Sequence, residues 1–99
     1  MKVKTISPSC ASKLKVLSDP TRLAVLEALM AGPKIVGELI EQLDVEQSLL
    51  SHHLAILRDT GLVESSREGK AMVYQLSTSV SDSTSGKAIN LGCCKISFD

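Results

Sequence analysis

Three cysteines carry the most reactive chemistry in this 99-residue chain: Cys10, and the adjacent pair Cys93 and Cys94. Thiolates are soft ligands that select soft acceptors such as trivalent arsenic or antimony, Cd(II) and Cu(I). Three thiolates with no obvious fourth ligand fit a three-coordinate trivalent metalloid best, because zinc prefers four ligands. The three cysteines are therefore predicted to bind As(III) or Sb(III), with Cd(II) or another soft metal ranked behind.

A thiol-redox site is the main alternative, because it uses the same sulfur atoms. A disulfide between Cys10 and a tail cysteine would tie the tail to the first helix without any metal. A structural role is the third interpretation, since Cys10 shares a helical face with Leu14 and Leu17 and a lone cysteine there usually behaves as a small hydrophobe. Exposed free thiols are a liability, which favours sensing by the adjacent pair. The sequence leaves open whether Cys10 comes from the same subunit or the opposite one.

A second group of candidate residues lies on a predicted helix whose buried stripe is Leu50, Leu54 and Leu57. At 100° per residue, Ser48 and His52 point most directly away from that stripe. Small polar side chains can hydrogen-bond base edges or phosphates, and a leucine can touch a thymine methyl group. His53 falls nearer the stripe, so we expect it to pack against the core with a hydrogen bond. The residues predicted to contact DNA are Gln47, Ser48, Leu49, Ser51 and His52.

The chain changes to a period of two after Leu62, which is typical of strands. Arg67 and Lys70 flank the tip of the resulting hairpin. A hairpin that directly follows a DNA-reading helix usually rests along the neighbouring phosphates, so both cations are predicted to contact double-stranded DNA. Ordinary solvated charges are the alternative, and Glu68 between them argues mildly against a close approach to phosphate.

Local signals predict the elements that position these residues. Asp19 is a good N-cap and Pro20 suits a first helical turn. The turn between the third and fourth helices is short enough to make a helix-turn-helix unit. The fold class is therefore mainly α with a small β-hairpin after the helix-turn-helix, which is the arrangement of a winged helix-turn-helix; the dimer is implied by the family resemblance given below. The predicted helices run from about Ser9 to Leu17, from Asp19-Pro20 to Gly32-Pro33, from Val36 to Leu43, and from Glu46 or Gln47 to Gly61.

The chain is predicted to divide into an N-terminal arm (1–8), a winged helix-turn-helix domain (9–77) and a Ser/Thr-rich linker with a Cys-containing tail (78–99). Seven of the ten residues from Ser77 to Gly86 carry hydroxyl groups and show no helical stripe. This composition is typical of a linker or a poorly ordered loop. The short apolar patch from Ile96 to Phe98 could form a strand or pack on a partner.

Composition narrows the function classes. The chain carries 11 basic and 11 acidic residues, so DNA binding must depend on where charges are placed. Aromatic residues make up 2%, which argues against modules that stack single-stranded bases. No Cys-x-x-Cys motif or glycine-rich phosphate loop is present, so an enzyme such as a thiol oxidoreductase is not expected. Neither a signal peptide nor a membrane span is predicted, which favours a cytoplasmic protein.

Three segments together resemble the ArsR/SmtB family of winged-helix repressors: LSDPTRLAVLEALM, VGELIEQL and SLLSHHLAILRDTGLVESSREGKAMVYQL. The resemblance covers about residues 11 to 77. It implies a homodimer that binds a palindromic operator without a cofactor and releases it when a metal, metalloid or oxidant reacts. It also implies that residues 47–52 form the reading helix and residues 67–70 the wing tip.

The chain departs from the family pattern in three places. Glu46 stands where the family usually has a capping Ser or Thr before the reading helix. The Ser/Thr-rich stretch stands where many members have a final dimerisation helix. Ile35 and Gly37 occupy the region of the founding members' metalloid-binding cysteine pair, so that site is absent and any metalloid site must use the three cysteines above.

Overall fold

The structure is a computed structural model that describes residues 8–80 and 88–98. The predicted N-terminal arm, apart from Pro8, and residues 81–87 of the predicted linker lie outside the described residues. The four helices are α1 (Pro8–Val16), α2 (Pro20–Met30), α3 (Val36–Leu43) and α4 (Gln47–Asp59). The strands are β1 (Lys34–Ile35), β2 (Val63–Glu68), β3 (Ala71–Leu76), β4 (Ala88–Asn90) and β5 (Lys95–Ser97). The predicted helices are thus confirmed to within about a turn at their ends.

Helix α2 begins where the Asp19-Pro20 pair predicts. Asp19 Oδ1 accepts hydrogen bonds from the backbone N–H groups of Thr21 at 2.8 Å and Arg22 at 3.1 Å. The bond from Arg22, supported by the one from Thr21, holds the pKa of Asp19 below its ordinary value. Because the folded pKa is the lower one, the charged cap stabilises the fold fully above the ordinary pKa and loses that contribution as the pH falls through the lowered value.

Helix α4 ends in a Schellman motif. The N–H of Leu62 donates to the carbonyl of Leu57 at 2.9 Å, and the N–H of Gly61 donates to that of Arg58 at 3.0 Å. Gly61 adopts a φ of 84°, which only glycine reaches without a steric penalty. Leu57 and Leu62 are both fully buried, so this motif sets the angle at which the β2–β3 hairpin leaves α4.

We expect Gly61→Ala to lower the free energy of unfolding by about 1–2 kcal/mol, the cost of a left-handed backbone at a residue with a Cβ atom. Gly37→Ala is the matched control, because Gly37 lies inside α3 with open space around its Cα. Alanine is the better helix former, so the control should be neutral or stabilising by about 0.5–1 kcal/mol. Urea unfolding measures both, and equal midpoints for the two variants would refute the assigned role of Gly61.

One leucine-rich core joins the helices to the sheet. The predicted stripe of α4 is confirmed, because Leu50, Leu54 and Leu57 are at most 1% exposed. They pack with Leu26 of α2 and Leu39 of α3 in the same cluster. Burying the stripe fixes the rotation of α4, and the opposite face is left to solvent.

The wing sheet contains one strand that the sequence did not predict. Its order is β1-β3-β2, with Lys34 opposite Tyr74 and Ile35 opposite Val73. The expected β2–β3 hairpin is confirmed, and Gly69 takes a φ of 63° in its two-residue loop. Two residues are too few to show strand periodicity, so β1 could not be recognised from the sequence.

The end of the chain forms a hairpin, in which β5 (Lys95–Ser97) overlaps the patch from Ile96 to Phe98 expected to form a strand or pack on a partner. Strands β4 and β5 form an antiparallel hairpin with Ile89 opposite Ile96. Ile89 and Leu91 are buried in the core, at 0% and 4% exposure. No helix follows the wing among residues 71–80 and 88–98. The division of the chain at residue 77 stays a prediction, but residues 88–98 pack on the winged domain.

Candidate DNA interface and thiol site

The polar face of α4 is open to solvent. Leu49 is 46% exposed, unusually high for a large apolar side chain, and its neighbours on this face are exposed as well. This exposure is what a surface that enters a DNA groove requires. We call the surface the reading ridge; it consists of Gln47, Ser48, Leu49, Ser51 and His52.

Glu46 acts as the N-cap of α4, although the family usually has Ser or Thr there. Its carboxylate accepts the backbone N–H of Ser48 at 3.3 Å and also the hydroxyl proton of Ser48. A cap that accepts a helical N–H offsets an otherwise unpaired donor. Helix α4 is therefore capped by Glu46 even though this residue is not the usual Ser or Thr. Because the Ser48 hydroxyl donates its proton to Glu46, only the lone pairs of its oxygen remain to accept a further hydrogen bond.

The two wing cations lie beside the hairpin turn. Arg67 is in the last residues of β2, opposite Met72, and Lys70 is the second residue of the turn. Both side chains are exposed, as is Glu68 between them. The geometry brings these charges to one tip, whereas their contact with phosphate stays a prediction.

His53 is buried, at 6% exposure, and its Nδ1 atom lies 3.0 Å from Arg22 Nη1. This confirms the expectation of a packed, hydrogen-bonded histidine next to the reading ridge. The sequence analysis did not identify Arg22 as its partner. The two residues are 31 positions apart, and no local pattern pairs them.

The three cysteines meet at one site within a single chain. Cys10 on α1 and Cys93 in the β4–β5 loop form a disulfide, with Cα atoms 6.1 Å apart. The Sγ atoms of Cys93 and Cys94 lie 3.9 Å apart, and all three sulfurs are within 4.8 Å of one another. Cys94 remains a partly buried free thiol. We call this cluster the thiol site.

The disulfide and one hydrogen bond hold the β4–β5 loop against α1, and two further hydrogen bonds order the loop itself. Lys13 Nζ donates to the carbonyl of Leu91 at 3.4 Å, and Gly92 N donates to Asn90 Oδ1 at 2.8 Å. Within the loop, Leu91 N donates to the carbonyl of Cys94 at 2.8 Å. The apolar face predicted for α1 is only partly right, because Cys10 and Leu17 are buried whereas Leu14 is 41% exposed.

The thiol site has the donor set for two reactions. When reduced, three sulfurs this close can act together as soft ligands. On oxidation, Cys10 and Cys93 form the disulfide seen in the structure. Among the described residues, no other group of three His, Cys, Asp or Glu side chains converges in this way.

Four helices, a short helix-turn-helix connection and a wing define a winged helix-turn-helix protein. The family described as bacterial regulatory protein, arsR family, matches residues 19–65. The transcriptional regulator NmtR of Mycobacterium tuberculosis is 46% identical over 66 residues, which are 67% of this chain and 55% of NmtR. The repressor SdpR of Bacillus subtilis is 35% identical over 67% of this chain and 73% of its own length. The chain therefore belongs to the ArsR family.

Solved structures agree with this assignment. HlyU from Vibrio cholerae superposes with a TM-score of 0.71 at 37% identity, covering 77% of this chain and 83% of HlyU. The homodimeric winged helix-turn-helix DNA-binding domain of Mb0332 from Mycobacterium bovis gives 0.67 at 29% identity, covering 70% and 64%. A further relative, found by sequence and not by structure, is the arsenical resistance operon repressor of Staphylococcus xylosus. It is 43% identical over 64% of this chain and 61% of its own length.

The chain spans little more than half the length of NmtR, at 55%. These relatives are regulators of transcription by name, which agrees with the expectation that this chain is not an enzyme. In the described part of the chain, no helix combines the length and apolar character needed to cross a bilayer.

Proposed function

We propose that this chain is a cytoplasmic transcriptional repressor that binds operator DNA as a homodimer. The exposed reading ridge beside a charged wing tip carries the proposal, because a helix with small polar side chains and a flanking hairpin suits the major groove. Homodimers of the Mb0332 domain support the assembly. The zero net charge predicts a modest number of phosphate contacts and a moderate salt dependence.

The effector proposed is a trivalent metalloid, As(III) or Sb(III), held by the reduced thiol site. Three sulfurs within 4.8 Å offer a complete donor set for a three-coordinate metalloid. An arsenical resistance operon repressor is among the relatives, but any metalloid site in this chain would use different cysteines. Binding would tie the β4–β5 loop to α1 and favour release of the operator, and by linkage the operator would weaken metalloid binding by the same factor.

A redox switch is the second candidate, favoured by the Cys10–Cys93 disulfide. Loss of two electrons and two protons to an oxidant such as a peroxide would join the two sulfurs and tie the same loop to α1. The two candidates differ in what they require of Cys94. A metalloid bound by three sulfurs uses it, whereas the disulfide does not.

Cys94→Ser therefore separates the two effectors. The operator is first selected from a random duplex library. Arsenite should release the reduced wild-type dimer from this operator. The Cys94→Ser dimer should need at least about tenfold more arsenite, since one of three soft ligands is lost. Diamide should release both dimers equally if the disulfide is the signal. Gel-shift titrations measure all four cases.

Two results would contradict these assignments. Equal arsenite sensitivity in the wild type and in Cys94→Ser would remove the three-sulfur site from the mechanism. A wild-type chain that selects no duplex from the library would refute the repressor itself. Ser12→Ala, at an exposed position on the same helix as Cys10, is the matched control and should leave both titrations unchanged.

A further inference from the structure

We propose that Arg22 is a positioning residue that transmits the state of the thiol site to the reading ridge. Its guanidinium joins the end of α1, which carries Cys10, to His53 of α4. This inference rests on the proposed function for its biological meaning. Its physical content, a connection between α1 and His53, can be tested without DNA.

The first half of the connection lies at the end of α1. Val16 is the last residue of that helix, so its carbonyl has no partner within the helix, and Pro20 has no N–H to offer it. Arg22 Nε donates to that carbonyl instead, at 2.6 Å. The last turn of α1 is therefore completed by a side chain of α2. Any displacement of α1 acts directly on the Arg22 guanidinium.

The second half is the contact with His53. An arginine guanidinium has only donors, so the Nδ1 atom 3.0 Å from Arg22 Nη1 must be an acceptor, and the ring proton of His53 sits on Nε2. His53 as a whole residue is 6% exposed, so little water can reach it to replace Arg22. His52 of the reading ridge is the next residue back along α4, with ring centroids 5.8 Å apart. A shift of the His53 ring thus acts at the base of the ridge.

The residues between the two sites are joined by one helix and by a cap hydrogen bond. Cys10 and Val16 are six residues apart on one helix, about 9 Å at 1.5 Å per residue. The backbone N–H of Arg22 is fixed by Asp19 at 3.1 Å. With both ends of the guanidinium engaged, movement of α1 when the thiol site closes must either rotate α4 or break one of two charge-assisted hydrogen bonds. This gives a path from sensor to reader within one subunit.

The test compares coupling rather than affinity. For each variant, the operator Kd is measured with and without saturating arsenite, and their ratio is the coupling factor, typically about 5–150-fold in regulated proteins. His53→Leu removes the acceptor, and we expect its factor to fall toward 1. His53→Gln keeps an oxygen acceptor in reach of Arg22 and should retain the factor within about twofold. A merely structural role would change both Kd values together and leave the ratio intact in all variants, which would overturn the proposal.

A second measurement uses the wild-type chain without DNA. The ¹⁵N resonance of His53 Nδ1 reports its hydrogen bond, and it should shift when the Cys10–Cys93 disulfide is reduced. Cys10→Ser is the control, in which dithiothreitol should produce no shift. An unchanged resonance in the wild type would refute the connection even if arsenite releases the operator. If arsenite releases no operator but the resonance shifts, the proposed effector fails and the connection stands.

Discussion

His52→Glu is expected to weaken operator binding by about a hundredfold. The side chain is exposed on the reading ridge, so in the proposed complex the substitution would remove a groove contact and place a carboxylate between two phosphate strands. His52→Ala removes the contact alone and should cost about tenfold, within the range of about 1–3 kcal/mol for a base-edge contact. Fluorescence anisotropy with the selected operator at fixed salt measures both variants.

Gln42→Glu is the matched control for charge. Gln42 is exposed on α3, outside the reading ridge and the wing tip, and the substitution adds the same negative charge to the chain. Its operator affinity should stay within about threefold of the wild type. If His52→Glu and Gln42→Glu weaken binding equally, net charge rather than the ridge governs affinity, and the proposed interface is wrong.

Reducing the Cys10–Cys93 disulfide is expected to lower the free energy of unfolding by about 4 kcal/mol. The bond joins residues 83 apart in sequence, and closing so long a loop removes much of the entropy of the unfolded chain. Because a small domain has only about 5–15 kcal/mol of stability in total, the effect is large. Urea unfolding of the oxidised chain, with and without dithiothreitol, gives the difference directly.

Cysteine variants make this measurement specific. Cys10→Ser should unfold at the same urea concentration with and without the reductant. Cys94→Ser keeps both bonded sulfurs and should retain the full difference. A wild-type midpoint that does not respond to reduction would contradict the crosslink. A Cys94→Ser chain that loses the response would show that the bond pairs other cysteines.

The reading ridge and the thiol site could be predicted from the sequence to different degrees. Helix α4, which carries the reading ridge, and α2, which packs against it, have local signals: the leucine stripe of α4 with Gly61 at its end, and the Asp19-Pro20 start of α2. The same 100° spacing that turned the ridge outward also placed His53 against the core. These features follow from interactions within a few residues, and the sequence records such interactions directly.

The sequence by itself determined the winged helix-turn-helix fold, the outward face of α4 and which three cysteines are candidates for a thiol site. Only the tertiary structure decided that Cys10 and Cys93 meet within one chain, that residues 88–98 pack as a hairpin, and that Arg22 reaches His53. Helical periodicity arises from neighbours three and four positions apart. The other contacts join residues 31 and 83 positions apart, and a partner that distant is chosen by how the whole core packs, which no local pattern encodes.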